Sequence, residues 1–169
     1  MSNAIWMITY QLRREREAPY LEWFHEVHVP EKLARPGYSW VSHYRSTTES
    51  TDDGTPLYLA MFGGETTAVF FNPSPAQLAP KQPPETRDMM TCRINSQALI
   101  LTSEWVSAGD GPHNVNEFQV DAEAISLTLC DAAGNEMDFG AWLVQEHLPS
   151  VQGYRIACFS VSTDRRSRI

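Results

Sequence analysis

The feature that most constrains this chain is a stretch that occurs twice. Residues 23–38 read WFHEVHVPEKLARPGY and residues 142–154 read WLVQEHLPSVQGY. In both, a tryptophan is followed by His-x-Pro at the same offset, and then by Gly-Tyr before a strand-like run. Internal similarity of this kind indicates duplication of one supersecondary unit. The two stretches are therefore predicted to form the same helix-turn-strand unit.

The first copy alternates strand and helix patterns. Residues 4–12 have period-two alternation, which predicts a strand with one face formed by Trp6, Ile8, Tyr10 and Leu12. Pro19 suits the first turn of the next helix. Because Pro30 disfavours helical geometry at Val29, the regular helix is predicted to end or kink there.

The rest of this copy predicts a complete small fold. Strands are expected at 38–45, 57–62 and 94–105, with a short helix at 65–71. Residues 72–85 carry five prolines and are predicted to be irregular. The order β-α-β-β-α-β is that of a ferredoxin-like repeat, in the α+β class with an antiparallel sheet, over residues 4–105.

The second copy is predicted to be incomplete. Residues 106–117 are the expected linker, and residues 118–169 the partial repeat. Its β-α-β pattern consists of a strand at 123–130, a helix at 139–149 and a strand at 154–162. Two strands and one helix cannot close a ferredoxin-like unit. Either the natural chain continues, which we favour, or another subunit completes the sheet.

Composition excludes several classes of function. With 169 residues, 42% hydrophobic and 20% charged, the chain is typical of a soluble globular protein. The net charge of −8 argues against binding to nucleic acid or anionic membranes. No apolar run approaches the roughly 18 residues of a membrane span. Three widely spaced cysteines, Cys92, Cys130 and Cys158, fit a reduced cytoplasmic protein.

The repeated motif resembles the EthD-like branch of the dimeric α+β barrel superfamily. In the first copy the matching positions are Trp23, His28, Pro30, Pro36-Gly37 and Tyr44. The resemblance covers about residues 4–105, with a weaker partial copy at 120–162. It implies two four-stranded sheets packed face to face as a barrel, with the helices outside. Two chains usually supply the sheets, so a homodimer is predicted, although a tandem chain could supply both.

The resemblance does not select one chemistry. The superfamily includes cofactor-free oxygenases, lactone isomerases, polyketide cyclases, haem-handling proteins and proteins without a known reaction. From the residues, His28 is the leading candidate for a general base, because it borders the apolar face of its helix. His147 is its counterpart in the second copy. The alternative is structural: the imidazole caps the helix by binding a backbone carbonyl freed by the proline.

Aromatic residues supply the remaining candidates. Tyr44 is predicted to orient a ligand oxygen. The residues predicted to bind the ligand beside it are Trp23, Phe24, Tyr38, Trp40, Trp142 and His147. Packing in the core is the alternative for each of them. His43 and Arg45 are expected on the opposite strand face, toward solvent or an interface, where Arg45 could hold a carboxylate.

No metal site or cofactor is predicted. His25 and His28 are three residues apart without an evident third ligand, and the fingerprints of nucleotide-binding loops are missing. Haem bound through a histidine remains an alternative. The function predicted is that of a small-molecule enzyme or binder for an apolar cyclic or aromatic oxygenated compound, acting by isomerisation, cyclisation or cofactor-independent oxidation. The alternative is a non-catalytic assembly or interaction protein.

Overall fold

The computed structural model describes residues 3–47, 55–107, 122–130, 134–147, 150 and 156–161. The strands and α-helices of this part are β1 (Ala4–Leu12), α1 (Arg14–Trp23), α2 (Val29–Leu33), β2 (Tyr38–Arg45), β3 (Leu57–Gly64), α3 (Pro75–Leu78), α4 (Pro84–Met90), β4 (Arg93–Ser107), α5 (Glu136–Trp142) and β5 (Ile156–Val161). Turns of π-helix follow α1 at Phe24–His28 and α5 at Leu143–His147. Turns of 3-10 helix lie at Thr67–Phe70 and Ala79–Lys81.

The five strands form one antiparallel sheet in the order β2-β3-β1-β4-β5. The first four strands have the order and directions of a ferredoxin-like unit, with helices in the two crossovers. The predicted α+β class and antiparallel sheet are therefore confirmed. The strand predicted at 154–162 is present as β5, and it extends the sheet by pairing with the end of β4.

Each face of the sheet carries its own apolar cluster. The predicted face of β1 is confirmed, since Trp6, Ile8, Tyr10 and Leu12 all lie in the cluster beneath the helices. Tyr20, Trp23 and Phe24 pack over them, and Phe62 of β3 lies beside Trp6 in the sheet. The opposite cluster contains Ile5, Met7, Trp40, Leu59, Met61 and Leu101. Alternation along the strands explains both clusters, because successive side chains point to opposite faces.

The first helix differs from its prediction at both ends. It begins at Arg14, so Pro19 lies inside it and not in its first turn. Glu15 and Glu17 occupy the first turn, where a negative charge is favoured by the helix dipole. The regular α-helix ends at Trp23, earlier than predicted, and resumes at Val29 with Pro30 in the first turn of α2, where no backbone N–H is needed.

Two other segments correct the sequence prediction. Residues 72–85 are not wholly irregular, because prolines open short helices there, including α4 at Pro84. The strand predicted at 123–130 was wrong: these residues pair with no strand in the part of the chain described. The helix predicted at 139–149 begins earlier, at Glu136, and residues 148–149 lie outside the described residues.

A register shift in β2 redistributes its side chains. Between Tyr38 and Trp40 the pairing with β3 slips by one residue, as in a β-bulge. Tyr38 therefore packs beneath the helices, whereas Trp40 and Tyr44 lie with the opposite cluster. Val41 also packs beneath the helices, and His43 contacts Phe24 there. The expectation that His43 points to solvent or an interface was wrong.

Candidate functional site

An open cleft of about 410 Å³ lies beside the first helix. Its walls come from α1, the π-helical turn after it, β2 and β3. The lining residues are Glu17, Leu21, His25, His43, Tyr44, Arg45 and Tyr58. A concave surface with a few convergent polar groups is the usual form of a small-molecule site.

Two histidines meet in this cleft. His43 Nδ1 lies 3.2 Å from His25 Nε2, and His43 Nε2 lies 2.8 Å from the hydroxyl of Tyr10. His25 is exposed, whereas Tyr10 is fully buried. The three side chains therefore form a hydrogen-bonded series from the core to the cleft.

The π-helical turn and the strand pleat together create this pair. His25 is the second residue of the turn at Phe24–His28, and His43 lies on the strand face beneath it. The ring of Phe24 packs against His43, with centroids 4.4 Å apart, and is itself fully buried. This packing restricts the rotamers of Phe24 and His43. It thereby keeps the imidazole of His43 next to that of His25.

Burial keeps the inner histidine neutral. Desolvation lowers the pKa of His43 to about 3, and the neighbouring His25 and the charge of Arg93 act in the same direction. Burial also raises the pKa of Tyr10, with Tyr20 adding to the effect. Near neutral pH Tyr10 and His43 are therefore uncharged, and each can both donate and accept a hydrogen bond.

Charged and phenolic groups form the other wall of the cleft. The hydroxyl of Tyr58 donates a hydrogen bond to Glu17 Oε1, and Arg45 Nε lies 3.5 Å from the same oxygen. Burial, followed by the bond to Glu17, raises the pKa of Tyr58 to about 12. The ring of Tyr58 stacks on His43, with centroids 5.4 Å apart. Acid, cation and phenol thus surround the histidine pair.

His28 lies in the core and not in the cleft. It is 3% exposed, and its ring packs against Trp23 at 4.8 Å between centroids. Desolvation, and then the positive charges of Lys32, Arg93 and Arg35, lower its pKa to about 2. Its Nδ1 and the Trp23 Nε1 are buried without hydrogen-bond partners in the described chain. The predicted capping bond is thus not made at Nδ1, and catalysis at His28 would require access to a buried ring.

The predicted aromatic wall is divided by the sheet. Trp23, Phe24 and Tyr38 belong to the cluster beneath the helices, while Trp40 lies on the other face. The structure therefore does not bring Trp40 and His28 together. Tyr44 does line the cleft, but its hydroxyl donates to the carbonyl oxygen of Ala122 at 2.8 Å.

The second motif repeats the local structure of the first. The Trp142 and His147 rings stack with centroids 5.1 Å apart, and Phe139 packs on Trp142 at 5.9 Å. The corresponding contacts in the first copy are Trp23–His28 and Tyr20–Trp23. Unlike Trp23, Trp142 is 45% exposed, and neither Trp142 nor His147 lines the cleft.

The contact between His25 and His43 was not predicted from the sequence, although one feature of the sequence points to it. When the two motifs are aligned, Val144 occupies the position of His25, and Phe159 that of His43. Both groups thus distinguish the first copy from the second. The motif shared by the two copies favoured His28 instead, because comparing the copies selects the residues that both retain.

Two kinds of feature were not found among the described residues. No cluster there brings together three or more side chains of the His, Cys, Asp and Glu types in a geometry suited to a metal ion. No described helix is both long and apolar enough to cross a bilayer.

Comparison with known proteins gives a weak structural similarity. No family model matches the sequence, and no match was found among curated proteins. Among solved structures, the chain is similar to a Bacillus cereus protein assigned as an antibiotic biosynthesis monooxygenase, with a TM-score of 0.43 and 15% identity. The match covers 64% of this chain and 99% of the other. A structural similarity this weak gives no information about the activity or the substrate of this chain.

Proposed function

We propose that the chain acts on a small oxygenated molecule held in the cleft, with the His25–His43 pair as its acid–base centre. The observation that carries this proposal is the hydrogen-bonded series from Tyr10 through His43 to His25. Imidazole is the side chain used most often in general acid–base catalysis, and exposed His25 lies where a ligand in the cleft can reach it. The function is thereby assigned to His25 and His43 in preference to His28.

The lining of the cleft suggests the kind of ligand. Leu21 and the rings of Tyr44 and Tyr58 offer apolar contact to a planar compound. Arg45 is 62% exposed and its guanidinium is only loosely paired with Glu17, so it is available to an anionic group. An aromatic or cyclic compound carrying a carbonyl, hydroxyl or carboxylate fits these groups. The reaction classes proposed are isomerisation, cyclisation and cofactor-independent oxidation.

Ligand-dependent thermal stability tests the proposal. Wild type and His25→Ala are screened with aromatic acids, phenols and lactones. A ligand at ten times its Kd stabilises the folded protein by about 1.4 kcal/mol, which raises Tm by about 3–6 °C. We expect such a shift in wild type and its loss in His25→Ala.

The matched control is His147→Ala, which removes an exposed histidine outside the cleft. This variant should keep the full shift. A ligand that stabilises wild type and His25→Ala equally would show that the histidine pair takes no part in binding. His43→Phe, which copies the residue at the aligned position 159, provides a second test of the same centre.

A tandem EthD-like architecture is part of the proposal. The matching Trp–His contacts in two π-helical turns support a duplicated unit. The pairing of β5 with β4 also supports it, since β5 is the counterpart of β2 in the second copy. In the proposed barrel, the sheet of one copy continues into a strand of the other. The homodimer and the cytoplasmic location remain predictions from the sequence.

A non-catalytic assembly role is the second candidate. Its support is the repetition of the Trp–His contact in both copies, which suits a packing device better than a reactive group. The aligned positions of the histidine pair carry valine and phenylalanine in the second copy, so the same logic does not apply to His25 and His43. A protein that binds none of the screened compounds but loses its oligomeric state in Trp142→Ala would favour this candidate.

A further inference from the structure

In two places after Trp23, a polar side chain is buried while its apolar neighbour is exposed. His28 and Lys32 are each 3% exposed. Their neighbours Val27 and Leu33 are 43% and 42% exposed, respectively. A helix that only covered an apolar sheet would have the opposite arrangement, because charged side chains are rarely buried without a partner. Such a conflict between local pattern and fold is typical of functional positions.

The π-helical turn brings three nitrogen-bearing side chains onto one face of this segment. The rings of Trp23 and His28 lie 4.8 Å apart between centroids. Lys32 follows His28 by one α-helical turn, so the two side chains are neighbours on the same face. The Nζ of Lys32 lies over the ring of Trp6, 5.2 Å from the centroid. Phe62 contacts the rings of both Trp6 and His28, so all three nitrogen-bearing groups share one region of the core.

These nitrogens lack hydrogen-bonding or ionic partners within the described chain. Trp23 Nε1 and His28 Nδ1 are buried there without a hydrogen-bond partner. No salt bridge between described residues includes Lys32. The carboxylate of Glu31, whose charge favours the ammonium of Lys32, is bound to Arg35 at 3.0 Å. Because unpaired donors and an unpaired ammonium are costly in a core, an acceptor in this region would stabilise the folded protein.

The electrostatic environment of this region is positive. Desolvation lowers the pKa of Lys32 to about 8, so its ammonium is charged near neutral pH. His28 is neutral there, since burial and the positive charges around it lower its pKa to about 2. Arg93 adds another buried nitrogen without a partner, Nη2, and its guanidinium lies over the ring of Tyr10, 4.6 Å from the centroid. The region thus combines hydrogen-bond donors with positive charge, which are the two requirements of an anion.

We propose that Trp23, His28 and Lys32 form a buried binding site for a small monovalent anion of the chloride, nitrate or formate kind. Trp23 Nε1 and the ammonium of Lys32 can only donate, and neutral His28 can donate from Nδ1. One ammonium balances one negative charge, which favours a monovalent anion over phosphate or sulfate. None of the three residues lines the cleft, so this site is separate from the proposed acid–base centre and goes beyond the proposed function.

The second copy of the motif shows that the ring contact forms without a lysine. Trp142 and His147 repeat the contact, but Val151 occupies the position that corresponds to Lys32. Packing of the motif therefore does not account for Lys32. We expect the anion site in the first copy alone.

Anion-dependent thermal stability of the full chain tests the site. The bulky sulfonate MOPS is replaced stepwise by chloride, nitrate or formate at constant ionic strength. At ten times its Kd, a bound anion raises Tm by about 3–6 °C, and the rise saturates. Lys32→Met should lose this rise. The matched control is Lys81→Met, which removes the only other lysine of the chain from the surface and should keep the rise.

NMR of the indole N–H groups locates the bound anion. In protein labelled with ¹⁵N-tryptophan, the signal of Trp23 is identified by its loss in Trp23→Phe. We expect this signal to shift with anion concentration and to saturate, because the indole N–H gains an acceptor. The signal of Trp142, the half-exposed counterpart in the second copy, should show no saturable shift.

Two results would overturn the proposal. One is a wild-type Tm that shows no saturable rise in any of the three anions, and the other is an equal rise in folded Lys32→Met. If Lys32→Met does not fold, the Trp23 signal of wild type decides, and an unshifted signal overturns the proposal. His25→Ala should keep the anion effect, because this substitution changes the cleft alone. The anion site therefore stands or fails independently of the proposed function.

Discussion

Replacing His28 with leucine is expected to stabilise the protein in acid. The pKa of His28 is lowered from 6.5 to about 2 in the folded state. Between these values the unfolded chain binds a proton that the folded protein does not, so stability falls as the pH falls from 6.5 toward 2. Leucine removes this proton from the unfolded state. It also removes the unpaired Nδ1 while keeping an apolar group beside Trp23.

The magnitude follows from the pKa difference. At about pH 4.5, roughly two pH units below the unfolded pKa, proton uptake by His28 of the unfolded chain lowers the free energy of unfolding by about 3 kcal/mol. At about pH 7.5 the unfolded chain binds almost no proton at His28, so this loss of stability is negligible. The substitution itself should change stability little at that pH, because an unpaired buried polar group is exchanged for an apolar one. The gain in stability from His28→Leu should therefore be about 3 kcal/mol larger at the lower pH.

Urea denaturation at the two pH values measures this difference. Wild type, His28→Leu and His147→Leu are compared, with the change in unfolding free energy taken from each pair of curves. His147 is exposed, so its replacement is the control for a histidine-to-leucine change outside the core. If His28→Leu shows the same effect at both pH values, His28 is hydrated in the folded protein, and the argument for a sealed, neutral ring fails.

Two further substitutions test the packing that positions the site. Phe24→Ala should destabilise the protein by about 3–5 kcal/mol, because its fully buried ring supports His43, and urea denaturation at neutral pH measures this. A loss below about 1 kcal/mol would contradict that packing. Gly63→Ala should cost about 1–3 kcal/mol, because a Cβ there would overlap the indole of Trp40. An unchanged Tm for Gly63→Ala would show that Trp40 can move aside.

The place of each copy of the motif explains why its role was hard to assign. His28 and His147 share a local structure, yet one is sealed in the core and the other is exposed. Local sequence specifies the helix, the π-helical turn and the Trp–His contact. Whether that contact is then buried depends on the sheet beneath it, which only distant segments of the chain supply.

Sequence periodicity alone determined much of the fold. The alternation in residues 4–12 identified the face of β1 that carries Tyr10 and Leu12, and the order of elements in residues 4–105 predicted the ferredoxin-like arrangement. Both follow from the chain itself, since a period of two separates the faces of a strand wherever the strand lies. The same pattern misassigned residues 123–130, because alternation shows that a strand is possible and not that a partner is available.

Tertiary structure decided the rest. Alternation grouped His43 with Arg45 but could not say which strand face the helices cover, and a register shift in β2 separated Tyr38 from Trp40. The bond between His25 and His43 joins residues from a helical turn and a strand that have no common period. The pKa of His43 depends on its burial, which is a property of the assembled core. A site made by side chains from separate elements exists only once those elements have packed.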